Sequence, residues 1–233
     1  MKAKYIALFA LAAAVAFAPA AMADSFNFSF NGGGISSSGT LTVSQSSSPG
    51  VDKITGISGT FSDANIGTSG ISGAITGLYT PVSYVSDTLA TPGVAFTTGG
   101  LSYDDLFYPA GDSPAICYDI NPITGKPELT YPFSGGQFDI FGVAFNVAGG
   151  YTAELWSNGD IPGKGLVYAA GLANGTKLID NPNAGTDAPP GEFGSLTTTP
   201  TPESGTLALF GIGLLGIAAL WVRRIDWLRS SRM

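Results

Sequence analysis

The chain contains no histidine, so any acid–base chemistry would fall to its carboxyl groups. Asp104, Asp105, Asp119, Asp139, Glu154 and Asp160 are the candidates. Glycoside hydrolysis needs two such groups, one to protonate the leaving oxygen and one to activate water or attack the sugar. No spacing among these residues singles out a pair that would share a cleft, so no catalytic residue is assigned. The lack of histidine also removes Ser-His-Asp triads and most zinc sites. Oxygen-rich turns at Tyr103-Asp104-Asp105 and Asn158-Gly159-Asp160 carry ligands of the kind calcium takes, but neither has EF-hand spacing. These turns leave calcium as a weak candidate; no other cofactor and no assigned metal ligand is expected. Cys117 is the single cysteine. It cannot close an intramolecular disulfide, and in the alternating stretch Ile116-Cys117-Tyr118 it reads as a small strand residue rather than a nucleophile. Tyr79, Tyr84, Tyr108, Tyr131 and Trp156 would be the stacking platforms of a carbohydrate-binding module or a weak carbohydrate-active enzyme, if they are exposed. Aromatics in strands are more often core, which keeps that function behind a non-enzymatic one.

The elements that must hold these residues are strands. Phe26, Phe28 and Phe30 alternate with Ser25, Asn27 and Ser29, the period of two that one buried face requires. Leu41 and Val43 repeat the alternation, and Ile54, Ile57 and Phe61 lie in another β-prone stretch. Further strands are expected at 82–85, 94–96, 101–108, 115–120, 166–170 and 177–179. The clearest pair is 137–147 against 151–156 across Ala148-Gly149-Gly150, a credible hairpin loop. Thirty-three glycines and fifteen prolines punctuate these runs, and no amphipathic helix stands out between the termini. The expected fold is all-β, an antiparallel β-sandwich or jelly roll over residues 24–180. The Gly-Ile-Ser-Gly elements at 56–59 and 70–73 do not recur at a fixed period, which argues against a solenoid. Residues 181–201 are rich in Pro, Gly and Thr and read as a loop passing into an extended linker.

Both ends carry addresses. Lys2 and Lys4 precede an apolar Ala-rich stretch, Pro19 breaks it, and Ala21 and Ala23 occupy the small-residue positions of a cleavage site. Residues 1–23 thus read as a signal peptide removed before Asp24. At the other end, residues 207–222 are apolar throughout, and a helix of that length spans about 24 Å, enough to cross a bilayer with slight thinning. Arg223 and Arg224 follow it, with Arg229 and Arg232 beyond, which places the C-terminus in the cytoplasm. Gly211, Gly213 and Gly216 have the spacing of a dinucleotide-binding turn, but no strand-turn-helix unit surrounds them, so they belong to the membrane run.

Pro202-Glu203-Ser204, the apolar run and the Arg223-Arg224 cluster together resemble the PEP-CTERM sorting signal of exported proteins from Gram-negative bacteria that make extracellular polysaccharide. The resemblance covers about the last thirty residues. It implies recognition at Pro202, Glu203 and Ser204 by exosortase, a membrane-embedded protease-transpeptidase, with this chain as substrate. Two positions depart from the pattern: Ser204 replaces the usual second proline, and the tail runs on through Ile225 to Met233. Both bear on where the cut falls. The resemblance implies export, an inner-membrane anchor with the body in the periplasm, then release to the cell surface or medium.

Charge narrows the partners. Residues 24–203 hold four lysines, no arginine and sixteen acids, a net charge of −12. Nucleic acid requires a basic face and is excluded as a partner. Extracellular polysaccharide is compatible. A chain segment of about 180 residues can bury a core without covalent staples. The expected function is that of a non-enzymatic surface or matrix protein.

Overall fold

A computed structural model describes residues 25–80, 94–121, 123–180 and 193–201; of the C-terminal run it describes only Gly213 and Gly216, both helical. The signal peptide with Ala21, Ala23 and Asp24, the motif Pro202-Glu203-Ser204, and Arg223 and Arg224 all lie outside the described residues, as does nearly all of the 207–222 run. Among the described residues no helix is long and apolar enough to cross a membrane. Residues Ser25–Pro200 form a compact unit of their own.

That unit is all-β. Its described strands are β1 (Ser25–Gly32), β2 (Ile35–Gln45), β3 (Asp52–Asp63), β4 (Ile71–Leu78), β5 (Ala95–Phe96), β6 (Ser102–Tyr103), β7 (Leu106–Phe107), β8 (Cys117–Ile120), β9 (Pro127–Tyr131), β10 (Val143–Val147), β11 (Tyr151–Ile161), β12 (Gly165–Asn174), β13 (Lys177–Asp180) and β14 (Gly194–Pro200). Eight of them run antiparallel in the order β11-β10-β4-β3-β2-β1-β14-β12, and β12 pairs back onto β11. The sheet therefore closes into a barrel, which corrects the expected sandwich or jelly roll. The physical reason is β14. Residues 194–200, read as linker, pair along their whole length with β1, and Gly194 also meets Tyr168 of β12. Without β14 the edges of β1 and β12 would stay open.

The alternation read from the sequence is what fills the barrel. Phe26, Phe28 and Phe30 point inward from β1, as do Leu41 and Val43 from β2 and Phe61 from β3, all of them buried. Phe61 meets Phe145 of β10 edge to face at 5.9 Å. At one mouth Phe107 packs on Phe26 at 4.7 Å and on Phe138 at 6.0 Å. Phe61→Ala should cost about 3–5 kcal/mol, since it removes a ring whose neighbours are fixed in paired strands. Denaturant unfolding of the purified chain measures this, and a loss below about 1 kcal/mol would place Phe61 outside the core.

The hairpin of β10 and β11 forms across Ala148-Gly149-Gly150 as expected, although β10 begins only at Val143 and residues 137–142 are loop. The expected strand at 82–85 lies outside the described residues. The 94–96 and 101–108 regions yield three short strands, β5, β6 and β7.

A second layer lies outside the barrel. Ala153 and Leu155 share the inward face of Phe145 and Val143, so Glu154 and Trp156 face outward, yet both are buried. Part of the cover comes from the segment between β4 and β10. Tyr79 and Tyr103 pack on Ala144, and Leu101 and Trp156 close over Gly171 of β12, where an added methyl would lie 3.0 Å from the Leu101 Cδ2. The outward residues of β12, Ala169, Gly171 and Ala173, are small enough to admit that cover.

Candidate functional site

Where this outer segment crosses the barrel mouth it gathers carboxyl groups. β7 pairs with the start of β3, setting Phe107 against Asp52 and Leu106 against Lys53. This brings Asp104 and Asp105 beside the Lys53 ammonium. Asp104 caps its own turn, its Oδ1 accepting from the Leu106 N–H at 3.0 Å. Asp105 is anchored through its backbone: its N–H donates to the Gly142 carbonyl at 2.9 Å, and its carbonyl accepts from the Ile54 N–H at 2.8 Å. Asp139 sits in the loop before β10. Its Oδ1 accepts from the N–H groups of Phe141 and Gly142 at 2.9 and 3.1 Å, and its Oδ2 accepts from the Tyr108 hydroxyl at 3.2 Å. Glu154 reaches the same region from the outward face of β11.

All four residues are buried: Asp104 is 7% exposed, Asp105 9%, Asp139 1% and Glu154 3%. The cation beside them is Lys53, 3.7 Å from the Asp105 Oδ2. Burial raises the Asp104 pKa well above the ordinary carboxyl range, and nearby Asp139 adds to the shift. Burial does the same to Glu154, reinforced by Asp104, Asp139 and Asp105. Asp105 is pushed up by burial to about 6, with Lys53 pulling the other way. Burial and the Asp139 and Asp104 carboxyls also hold the Tyr108 phenol far above its ordinary value. Asp104 and Glu154 thus hold their protons to a higher pH than free carboxyls do, because ionising them in a poorly solvated site beside other carboxyls is costly.

Four sequence candidates converge here, Asp104, Asp105, Asp139 and Glu154. Asp160 does not join them; it is exposed. Asp119 lies on β8, which pairs with β9 in a separate two-stranded sheet. Lys53 and Tyr108 also belong to the cluster, roles that the sequence, which shows Lys53 as charge and Tyr108 as an aromatic of a strand, does not announce. A signal for the site was present in Asp104-Asp105 inside an aromatic-rich run and in Glu154 between Ala153 and Leu155, where an acid interrupts otherwise apolar strand sequence.

A second acid pair lies at the end of β3. Asp63 is fully buried, its Oδ1 accepting from the Asn65 N–H at 2.8 Å, while the Asn65 side chain donates to the Asp180 carboxylate at 3.0 Å. Burial, with Asp180 nearby, raises Asp63 to about 6.

Of the two oxygen-rich turns, the first lies in the carboxyl cluster and the second belongs to β11, where Asp160 is exposed. Asn158 is buried within β11, and its Oδ1 accepts from the Trp156 indole N–H at 2.9 Å. Among the described residues no three acidic or cysteine side chains are placed to hold a metal ion. The aromatic platforms also change meaning: Tyr79, Tyr108 and Trp156 are buried, and half-buried Tyr131 donates to the Asn158 carbonyl at 2.9 Å. Tyr84 lies outside the described residues. Cys117 opens β8 and is half-buried.

Comparison with protein-family models, with curated proteins and with solved structures found no match to this chain.

Proposed function

We propose that this chain is an exported, exosortase-processed, non-enzymatic surface or extracellular-matrix protein whose delivered part is the β-barrel. The supporting observation is where the compact unit starts and stops. It runs from Ser25 to Pro200, one residue inside the expected signal cleavage before Asp24 and two residues short of the Pro202-Glu203-Ser204 motif. Phe26 of β1 and Pro200 of β14 are ladder partners, so the chain enters and leaves the barrel side by side. Removal of both ends would leave every strand of the barrel in place.

The burial of the carboxyl cluster favours the non-enzymatic reading. Glycoside hydrolysis requires two carboxyls flanking a bond of a bound sugar, and these four are enclosed by protein. In this reading exosortase and the inner membrane are transient partners, and extracellular polysaccharide is the lasting environment of an acidic barrel.

Intact-mass spectrometry of envelope and medium from cells with and without exosortase tests the proposal. The expected mature chain starts at Asp24 and ends near Ser204 only where exosortase is present, and Glu203→Ala should abolish that difference. A chain ending at Met233 in both strains would overturn it.

A further inference from the structure

Lys53 and Asp105 sit on neighbouring paired segments, since the ladder partner of Lys53 is Leu106. The Lys53 Nζ lies 3.7 Å from the Asp105 Oδ2 and donates to the Asp104 carbonyl at 2.5 Å, which pins the ammonium beside the carboxyl. Three features exceed what an ion pair needs. Asp105 is the one described non-glycine residue at positive φ, 56°, a conformation that costs an L-residue on the order of 1 kcal/mol or more. Its Oδ1 is buried with no hydrogen-bond partner. Buried carboxyls that retain their protons stand close by, Glu154 near enough to feel the charge of Asp105.

We infer that Lys53 and Asp105 condense into an intramolecular amide that ties β3 to the segment entering β7. The lysine nitrogen attacks Cγ of Asp105; the Nζ–Cγ bond forms and one Cγ–O bond breaks. From an ammonium and a carboxylate, the two protons lost by nitrogen leave with that oxygen as water. No oxidant or activated intermediate is consumed. Half of the Lys53 side chain is exposed, so the ammonium can pass its first proton to solvent. The departing oxygen takes its proton from solvent or from Glu154, which lies near enough to feel the charge of Asp105. Holding the two groups together supplies the effective concentration that an amine and an acid lack when free in water. In a chain with one cysteine, this bond would be the covalent staple of the barrel, fastening the outer segment to the wall it covers.

The chain purified from its producing cells, with whatever termini it carries, decides the matter by mass. The expected mass is lower than the sequence mass of that chain by one water, about 18 Da. Trypsin should fail to cut after Lys53, and fragmentation should show one branched species joining the Lys53 and Asp105 peptides. In Lys53→Arg, which keeps the charge but lacks the nucleophilic amine, the deficit should vanish. Should that variant not fold, the native chain's mass and peptide map still decide. A full sequence mass with ordinary cleavage after Lys53 would overturn the inference, as would a water deficit whose two peptides separate, which marks a succinimide.

Discussion

The melting temperature of this protein should rise as the pH is lowered from about 8 to about 5, by an amount on the order of 5–10 °C. The sign follows from the direction of the shifts. Asp63 binds its proton up to a pH of about 6 in the folded chain, against an ordinary value of 3.8, and Asp104 and Glu154 are raised well above theirs. Asp105 adds to this wherever its carboxyl is free. A folded pKa above the unfolded one contributes stability that is complete below the unfolded value. That contribution is lost as the pH climbs through the folded value. For Asp63 the loss runs from about 4 to about 6, and Asp104 and Glu154 extend it upward. A general easing of self-repulsion in an acidic barrel would act in the same direction. Glu154→Gln separates the two causes: the neutral amide should raise the melting temperature at pH about 8, leave it nearly unchanged at pH about 5, and flatten the slope between. A melting temperature that is level across this range, or that falls on acidification, would show that these carboxyls ionise without strain.

The same burial explains which strands could be read from the sequence. β1 and β2 keep one face in water, so Phe26, Phe28 and Phe30 alternate with Ser and Asn, and the period of two is visible. β11 is buried at nearly every position from Thr152 to Gly159 and β12 from Val167 to Ala173. Their outward residues are Glu154, Trp156, Gly171 and Ala173 rather than a row of Ser and Lys, so no alternation announces that both faces are covered. β14 was missed for a different reason. Its Thr-Thr-Thr-Pro composition suits an extended linker as well as a strand, and only its pairing with β1 distinguishes them. That one strand separates a barrel from an open sheet. The carboxyl cluster was half legible. Its members could be named, but their convergence depends on the outer segment folding back across the barrel mouth. That is a contact between distant parts of the chain, which single-sequence periodicity does not encode.

Gly142→Ala should be among the most damaging single-methyl changes in the molecule, because three of these features meet at that residue. Gly142 is at φ +59°, and a methyl there would lie 1.9 Å from the Leu155 carbonyl oxygen and 2.7 Å from the Trp156 Cα. Both are strand backbone of β11, so the obstacle cannot rotate aside as a side-chain tip would. To admit the methyl, β10 would have to lift from β11 at its first pair, Val143 with Leu155. The same residue donates its N–H to Asp139 and accepts from the N–H of Asp105. Lifting it would loosen both acids at once and leave buried polar groups unpaired, at a cost of about 1–3 kcal/mol each. Gly163→Ala provides the control. It has φ +79° but open space around the added methyl, so it should show only the left-handed backbone penalty of about 1–2 kcal/mol. Denaturant unfolding of the two variants side by side should give Gly142→Ala a loss at least twice that of Gly163→Ala. Equal losses would mean that β10 and β11 approach less closely at the mouth, and that the outer segment is held there by something other than Gly142.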